Sequence, residues 1–359
     1  MFKEVTEAGI VFDAPEEEKI SAKLPVFYNP VMKLNRDISV LLLKAIETPE
    51  SGLQVCDLLA GSGVRSIRFL AELEKKIKSI TINDYSEQAA EIIRKNLEMN
   101  KDKTGKANPD AEINITNSEA STLLLQSTGF DYIDIDPFGT PNPFLDAAIR
   151  RLAREGILAV TATDTSALAG TFPKVCMRKY WAVPDRGPMK HELGLRILIR
   201  KCQLVASQYE KALIPIYSYS KEHYMRVFFR CKKGKAEVDK VVKQHGMFNE
   251  AGPLWLGSLW DAKLAEKMYL LVEELGYETE GKFLRTIKDE SKIDVVGFHD
   301  IHALCKKNSI EVPAFAPVFE GIITEGYSLS RTHFSDFGVR STICEEDLLE
   351  IVQSVANRK

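Results

Sequence analysis

Apolar segments of six residues alternate with amphipathic segments through residues 54–161 of the chain. The apolar segments are typical of buried strands, and the segments between them place apolar residues at helical spacing. Strands and helices in alternation predict a parallel sheet with helices on both faces. The predicted strands are 54–59, 79–84, 112–117, 131–136 and 156–161, and the predicted helices are 36–46, 64–74, 86–99, 121–125, 143–154 and 193–213.

The two ends of this alternation follow other patterns. The stretch to about residue 34 is interrupted by three prolines, which indicates irregular structure. Residues 214–219 and 223–230 are closely spaced apolar segments, which predict an antiparallel pair added to the edge of the sheet.

Past residue 236 helical stretches dominate, chiefly 263–275 and 345–355. We therefore expect an α/β protein of two domains. A Rossmann-like domain, with a mostly parallel sheet and an antiparallel edge strand, covers residues 1–235. A smaller C-terminal α/β domain covers residues 236–359.

Composition is that of an ordinary globular protein, with 45% hydrophobic and 28% charged residues among 359. No run approaches the roughly 20 apolar residues that span a bilayer, and the N-terminus is not a signal peptide. We expect a cytoplasmic protein that binds no membrane. The six cysteines are scattered without a C-x-x-C pair, and the pair His299-x-x-His302 fits an ordinary helix surface better than a ligand set, so no metal is expected.

The net charge of −3 conceals a basic central segment. Residues 150–235 contain 18 Lys and Arg against 6 Asp and Glu, a net charge of +12, whereas the flanking regions are acidic. Aromatic residues lie among the basic ones, as in Arg178-Lys179-Tyr180-Trp181. Phosphate contacts combined with base stacking require this mixture, which favours a nucleic-acid surface over a set of solvated helix faces.

A glycine loop follows the first predicted strand, in Asp57-Leu58-Leu59-Ala60-Gly61-Ser62-Gly63. Gly61 and Gly63 permit a tight turn and the close approach of a ligand, and Asp84 at the end of the next strand can hold the hydroxyls of a ribose. Both nicotinamide dinucleotides and S-adenosylmethionine (SAM) offer such a ribose. SAM is favoured because Ser66 replaces the third glycine of a dinucleotide fingerprint and because Asp57, at the strand end, stands where methyltransferases often have an acidic residue facing the loop. Glu119 and Ala120, after the third strand, are then expected to edge the adenine.

Asp136-Pro137-Phe138-Gly139 follows the fourth predicted strand. A carboxylate, a stiff turn and a ring at one sheet edge suit the methylation of an exocyclic amine, because the carboxylate receives the amine hydrogens and the ring stacks on the base. The alternative is a strand-ending turn in which Asp136 satisfies only local amides.

The chain resembles the tRNA (guanine-26-N2)-dimethyltransferase family, particularly its archaeal form. The resemblance covers nearly the whole chain and rests on segments that include Phe27-Tyr28-Asn29-Pro30, Asp57-Leu58-Leu59-Ala60, Asn83-Asp84, Asp134-x-Asp136-Pro137-Phe138-Gly139, Thr163-Asp164-Thr165-Ser166, His191-Glu192-x-Gly194, Gly252-Pro253-Leu254-Trp255 and Ser330-Arg331-Thr332-His333.

The resemblance implies a SAM-dependent class I methyltransferase that methylates N2 of guanine 26 in tRNA twice. It implies that Asp136 is catalytic and that the C-terminal domain recognises tRNA. The remaining roles it implies are contact with SAM by Arg36 and Arg65 and with guanine by Phe27, Pro137 and Phe138. For the tRNA phosphates we expect contacts with the basic residues Arg178, Lys179, Lys190 and Arg331. Many relatives carry a cysteine-rich zinc insert between Arg230 and Gly252, where this chain retains only Cys231.

Two other classes of function stay open at this stage. A nicotinamide dehydrogenase would share the glycine loop, although no arrangement for hydride transfer is evident. An RNA-binding module without catalysis would share the basic segment, although it would not require Asp136. The sequence does not fix the oligomeric state, and a monomer is compatible with it.

Overall fold

The structure is a computed structural model, and it describes residues 2–16, 26–275 and 278–357. The strands are β1 Phe2–Glu7, β2 Ile10–Pro15, β3 Leu53–Asp57, β4 Ile77–Asn83, β5 Glu112–Thr116, β6 Phe130–Ile135, β7 Leu152–Ala162, β8 Lys211–Lys221, β9 Tyr224–Lys233, β10 His245–Phe248, β11 Ala251–Trp255, β12 His299–Asp300, β13 Leu329–Arg331 and β14 Gly338–Ser341. The helices are α1 Lys33–Ala45, α2 Val64–Glu72, α3 Glu87–Met99, α4 Lys101–Ala107, α5 Ala120–Gln126, α6 Asn142–Arg151, α7 Thr165–Leu168, α8 Pro173–Tyr180, α9 Lys190–Ser207, α10 Lys235–Val242, α11 Ala262–Leu275, α12 Glu278–Glu290, α13 Ile301–Lys307, α14 Phe315–Thr324 and α15 Glu345–Ala356.

The chain divides into two compact units that are each discontinuous in sequence. The first unit comprises residues 1–164, 202–214 and 226–243, and the second comprises 165–201, 215–225 and 244–359. The single division after residue 235 that the sequence suggests stays a prediction about folding domains.

A seven-stranded sheet has the order β5-β4-β3-β6-β7-β9-β8. The pairs β3/β4, β4/β5, β3/β6 and β6/β7 are parallel, and β8 and β9 form a hairpin at one edge. Val55 of β3 lies between Ile80 and Tyr132 in the sheet. Successive residues point to opposite faces, and Val55 and Cys56 are both fully buried, so β3 is covered on both faces. The predicted class I methyltransferase fold, with its mostly parallel sheet and antiparallel edge, is confirmed.

The prediction of irregular structure near the N-terminus is wrong for residues 2–15, which form the β1–β2 hairpin. Ile10, Phe12 and Ala14 alternate with more exposed residues and pack against Val64 and Ile67 of α2. The prediction of irregular structure was based on the prolines and did not take this alternation of apolar and polar residues into account. Residues 17–25 of the predicted irregular stretch lie outside the described part of the chain.

The predicted helix 193–213 is wrong at both ends, because α9 begins at Lys190 and ends at Ser207. Residues 211–213 instead begin β8, in which Ala212 and Leu213 are fully buried. Their apolar character suits a buried strand as well as a buried helix, so periodicity could not decide between the two.

The second unit has its own core and its own small sheets. Strands β12, β14 and β13 form a three-stranded sheet, and the helices α13, α14 and α15 contribute Leu304, Val318 and Val352 to a buried apolar cluster. His299 lies on β12 and His302 on α13, so the two histidines do not share a helix face as the sequence suggested. Among the described residues, no group of three His, Cys, Asp or Glu side chains is arranged to hold a metal.

Candidate active site

Acidic residues from three neighbouring strands meet at one edge of the central sheet. Asp57 ends β3, Asp84 directly follows β4, and Asp136 directly follows β6. Because these strands are parallel and adjacent, their carboxyl ends lie side by side, as in other open α/β sheets that bind ligands at this edge. The structure therefore brings together three of the side chains that the sequence singled out.

The glycine loop after β3 is shaped by contacts with the chain itself. Gly61 and Gly63 have φ of +56° and +77°, a backbone region that favours glycine. A Cβ on Gly61 would lie only 2.5 Å from the carbonyl oxygen of Phe27. The Ser62 amide donates a hydrogen bond to the same oxygen at 3.0 Å. The loop thus needs glycine at 61 so that the segment carrying Phe27 can lie against it.

Asp84 holds this loop from the other side. Its Oδ2 accepts a hydrogen bond from the Gly61 amide and its Oδ1 accepts one from the Ser86 amide, each at 2.9 Å. Burial raises the pKa of Asp84, although these two hydrogen bonds act to lower it. Tyr85, which the sequence reasoning passed over, is 76% exposed beside this carboxylate. The sequence offers one indication of Tyr85, which is its position directly after Asp84.

Glu119 and Ala120 begin α5, with Glu119 as the N-cap. The Glu119 carboxylate accepts hydrogen bonds from the amides of Ser121 and Thr122 at 2.9 and 2.7 Å, and these bonds lower its pKa. Glu119 is exposed and Ala120 is buried. The glutamate therefore already has a structural task, in addition to the adenine contact that the sequence suggested.

Asp136 is held by a buried arginine. Arg65 Nη2 donates to Asp136 Oδ2, while Arg65 Nη1 donates to Asn35 Oδ1 and Ser39 Oγ at 2.9 and 3.0 Å. Within the described residues, Asp136 Oδ1 accepts no hydrogen bond, and the Asp136 side chain is 17% exposed. Arg65 thus fixes one carboxylate oxygen and leaves the other available to a ligand.

A second arginine supports this arrangement from beneath. Arg226 on β9 donates to both oxygens of Asp134, at 2.9 and 2.6 Å, and Arg65 Nη1 lies 3.4 Å from the same carboxylate. Burial acts to raise the pKa of Asp134, but the two guanidinium groups lower it below its ordinary value. Sequence reasoning did not identify Arg226, because nothing near it in the chain marks it as the partner of an aspartate 92 residues away.

Asp57 is almost completely buried at this edge. Ser66 Oγ donates to its Oδ2 at 2.7 Å. Burial and the nearby Asp134 carboxylate raise the pKa of Asp57 to about 7, against the opposing influence of Arg65 and Ser66. A positively charged ligand beside Asp57 would therefore stabilise its ionised form.

Arg36 is bound to the N-terminal hairpin. Its Nε donates to Glu7 Oε1 at 2.7 Å, and its Nη1 donates to the carbonyl oxygen of Asn29 at 3.3 Å. Arg68 also donates to Glu7, at 3.1 Å, so one carboxylate joins two arginines. Arg36 lines the same small cavity as Asp57, Arg65 and Asp136, next to the glycine loop.

Two aromatic rings lie beside Asp136. The ring centroids of Phe27 and Phe138 are 4.4 Å apart and the planes meet at 74°, an edge-to-face contact. Phe138 is 50% exposed, whereas Pro137 is buried. The turn is fixed to the end of β7, because the Gly139 amide donates to Thr163 Oγ1 at 2.6 Å and the Thr163 amide donates to the Gly139 carbonyl oxygen at 2.9 Å.

The four basic residues expected at tRNA phosphates all belong to the second unit. Arg178 and Lys179 occupy the last turn of α8, and Lys190 begins α9. Arg178 and Lys190 are exposed. Arg331 is engaged within the unit, since its guanidinium donates to the Asp336 carbonyl oxygen and lies 4.7 Å from the centre of the Phe315 ring.

Comparison with known proteins gives a consistent result. A family model described as N2,N2-dimethylguanosine tRNA methyltransferase matches residues 9–250 and 245–353. The chain is 37% identical to the tRNA (guanine(26)-N(2)/guanine(27)-N(2))-dimethyltransferase of Aquifex aeolicus, over 98% of this chain and 96% of that protein. It is 36% identical to the tRNA (guanine(26)-N(2))-dimethyltransferase of Methanobrevibacter smithii, over 99% and 98% of the two chains. Among solved structures it resembles Trm1 from Pyrococcus horikoshii in complex with S-adenosyl-L-methionine, with a TM-score of 0.88, 33% identity and coverage of 98% and 99%.

Proposed function

Because this chain belongs to the N2,N2-dimethylguanosine tRNA methyltransferase family, we propose that it methylates the exocyclic N2 of guanine 26 in tRNA twice, with SAM as methyl donor. The observation that carries this proposal is the position of Asp136. One of its oxygens is held by Arg65, the other is available, and two aromatic rings lie beside it. A carboxylate oxygen beside two aromatic rings suits an amine on an aromatic ring better than a small aliphatic amine.

The residues at the sheet edge fit SAM. When bound, SAM supplies a methyl group activated by a positively charged sulfur. Asp84 suits the ribose hydroxyls, and Glu119 with Ala120 suits the adenine edge. Asp57, whose pKa is raised, suits the cationic groups of the methionine portion. Arg36 and Arg65 suit its carboxylate, and the turn at Gly61 and Gly63 leaves room for the ligand beside the loop.

The guanine must leave its stack in the RNA to reach this edge, because a stacked base cannot present N2 to a recessed site. Phe27 and Phe138 are the rings that receive it. Two stacked contacts require a separation of about 7 Å between parallel rings, so the edge-to-face pair has to open as the base enters. Pro137 limits the freedom of the turn that carries Phe138.

Asp136 then orients the amine. Its Oδ1 accepts a hydrogen bond from N2–H, which turns the nitrogen lone pair toward the methyl group, and it receives the released proton directly or through water. Guanine N2 is a weak nucleophile, so much of the rate enhancement comes from positioning and from exclusion of water. The hydrogen bonds between Gly139 and Thr163 keep this turn in place.

The partner in this proposal is tRNA, bound through phosphates by Arg178, Lys179, Lys190 and Arg331. A cytoplasmic location accords with the five buried, free cysteines among the described residues. In the part of the chain that the structure describes, no helix has the length and apolarity to cross a bilayer.

The test is methyl transfer by Asp136→Asn on unmodified tRNA. Asn keeps the shape of the side chain but loses the charge, so we expect the single-turnover rate to fall by about 100-fold or more while tRNA affinity changes less than about threefold. Asp110→Asn, at an exposed turn position, is the matched control. Nucleoside mapping should place N2,N2-dimethylguanosine at position 26 with the wild-type protein. A rate near wild type in Asp136→Asn, or no N2 methylation by the wild type, would contradict the proposal.

A further inference from the structure

The solvent-facing side of α8 combines basic and apolar side chains. Met177 and Arg178 lie three and four residues after Lys174 on α8, so these three side chains share one helix face, and Trp181 directly follows the helix; all four side chains are exposed. Cys176 and Tyr180 form the buried face. The exposed apolar side chains of Met177 and Trp181 do not contribute to the core of the second unit, so they need another explanation.

Trp181 is held in an unusual backbone conformation. It follows α8 with φ 58° and ψ 40°, the left-handed region in which glycine or asparagine normally ends a helix. The Trp181 amide donates to the Met177 carbonyl oxygen, and the Trp181 carbonyl oxygen accepts from Arg200 Nη1 at 3.4 Å. Glycine would satisfy the same cap without strain, and the side chain is 53% exposed, so neither capping nor burial accounts for a tryptophan here.

One face of the Trp181 ring is occupied by a cation. Lys201 Nζ lies 3.0 Å from the ring centroid, and Lys201 as a residue is buried. A cation on one face withdraws electron density from the ring, so the remaining surface disfavours a second cation and favours a neutral, electron-rich, planar group. A nucleobase is such a group, whereas an arginine or lysine of a protein partner is not.

The surrounding charge supports the same ligand. Residues 165–201 contain 8 Lys and Arg against 2 Asp and Glu, a net charge of +6. Arg178 and Lys174 lie on the exposed face of α8, and Trp181 directly follows this helix, so a base stacked on the ring would bring its phosphates close to positive charge.

We propose that Trp181, backed by Lys201, is a stacking platform for an unpaired nucleotide of the bound tRNA, with Arg178 and Lys174 at the neighbouring phosphates. This role rests on the proposed function, because it takes tRNA as the substrate. The nucleotide is unpaired because only a base outside a duplex offers its whole face to an aromatic side chain. Trp181 is a positioning residue and takes no part in the methyl transfer.

Intrinsic fluorescence tests this directly, since the chain contains only three tryptophans. Trp255 and Trp260 are 3% and 6% exposed, so Trp181 is the one that a ligand in solution can reach. We expect tRNA to quench the fluorescence of the full-length wild-type protein and to leave that of Trp181→Phe unchanged. A single-stranded oligonucleotide should quench as tRNA does, whereas a blunt duplex should not. Equal quenching by the duplex, or equal quenching in Trp181→Phe, would overturn the assignment.

Affinity measurements distinguish stacking from a merely structural role. Trp181→Leu should weaken tRNA binding about 10- to 100-fold, while Trp181→Phe, which keeps a ring, should stay within about threefold of wild type. The methylation rate at saturating tRNA should be unchanged in both. Phe172→Leu is the matched control, because Phe172 is 56% exposed and no cation lies over its ring among the described residues.

The outcomes separate this inference from the proposed function. Unchanged tRNA affinity in Trp181→Leu, in a protein that still methylates tRNA, overturns the stacking role and leaves the proposed function intact. Failure of the wild-type protein to methylate tRNA at all overturns both.

Discussion

Replacement of Asp57 by asparagine should stabilise the free protein at neutral and alkaline pH. Asp57 is buried, its carboxylate receives one hydrogen bond from Ser66, and burial together with Asp134 raises its pKa to about 7. Asparagine keeps the shape and can still accept from Ser66, but it carries no charge to bury. We therefore expect Asp57→Asn to remove an unfavourable ionisation from the native state.

The size and sign of the effect follow from linkage. An aspartate with a pKa of about 7 in the native state and 3.8 in the unfolded state binds its proton more tightly when folded. Its contribution to the free energy of unfolding is therefore full below about pH 4, declines as pH rises through the window from 4 to 7, and stays low above it. At 1.36 kcal/mol per pKa unit, the total change is about 4 kcal/mol.

Urea unfolding at several pH values measures this contribution as a difference. The free energy of unfolding of Asp57→Asn minus that of wild type should rise by up to about 4 kcal/mol between pH 4 and pH 8, because all other titrating groups are common to both proteins. Asp110→Asn should show a difference near zero at every pH. A difference for Asp57→Asn that stays constant from pH 4 to pH 8 would refute the reasoning. The same variant should bind SAM more weakly at pH 8, since it lacks the charge proposed to face the cationic groups.

Three further substitutions test other parts of the structure. Gly61→Ala places a Cβ 2.5 Å from the Phe27 carbonyl oxygen at a φ of +56°. Thermal unfolding should therefore show that the free energy of unfolding falls by more than about 1 kcal/mol, and methyl transfer should slow. Gly105→Ala, in open space on α4, is the control and should raise the free energy of unfolding by up to about 1 kcal/mol. Glu192→Gln removes the buried carboxylate that pairs with Arg196 and Arg340; Arg340 keeps its contact with Glu290, so the loss falls chiefly on Arg196 and should cost about 3–5 kcal/mol at pH 7. Because the two arginines hold the pKa of Glu192 at about 2 despite its burial, the wild-type advantage should shrink as pH falls from 4.5 toward 2 in denaturant titrations. Thr163→Val removes the acceptor for the Gly139 amide and should slow methyl transfer about tenfold, while Thr163→Ser should restore it; equal rates in the two variants would contradict this role.

The central sheet could be predicted because its physics is local. A buried parallel strand is rich in apolar residues, and a loop or cap residue follows it, so the strands ending at Asp57, Asn83 and Ile135 lie within a few residues of their predicted positions. Ser86, at which the predicted helix 86–99 begins, is the N-cap of α3, and its Oγ accepts from the Ala89 amide.

The supports of the candidate site could not be predicted, because their partners are distant in sequence. Glu7 binds Arg36 and Arg68 only because a hairpin that the prolines obscured folds against α2. Arg226 lies in an apolar strand, where one charged residue gives no indication of which carboxylate it meets. The edge-to-face contact of Phe27 and Phe138 is equally a product of folding, since the resemblance implied the two rings but not their geometry.

The bidentate pair of Arg226 with Asp134 also has a consequence for the order in which the protein is made. The aspartate belongs to the fourth strand of the sheet in chain order, but its partner is synthesised 92 residues later, after the first two segments of the second unit. When a buried carboxylate lacks its guanidinium partner, the free energy of unfolding falls by about 3–5 kcal/mol, which is a large part of a domain's stability. On the ribosome, the strands could therefore pair early, yet the edge that carries Asp136 would become stable only once residue 226 had emerged. Nascent chains shorter than this should hold a sheet without a competent site.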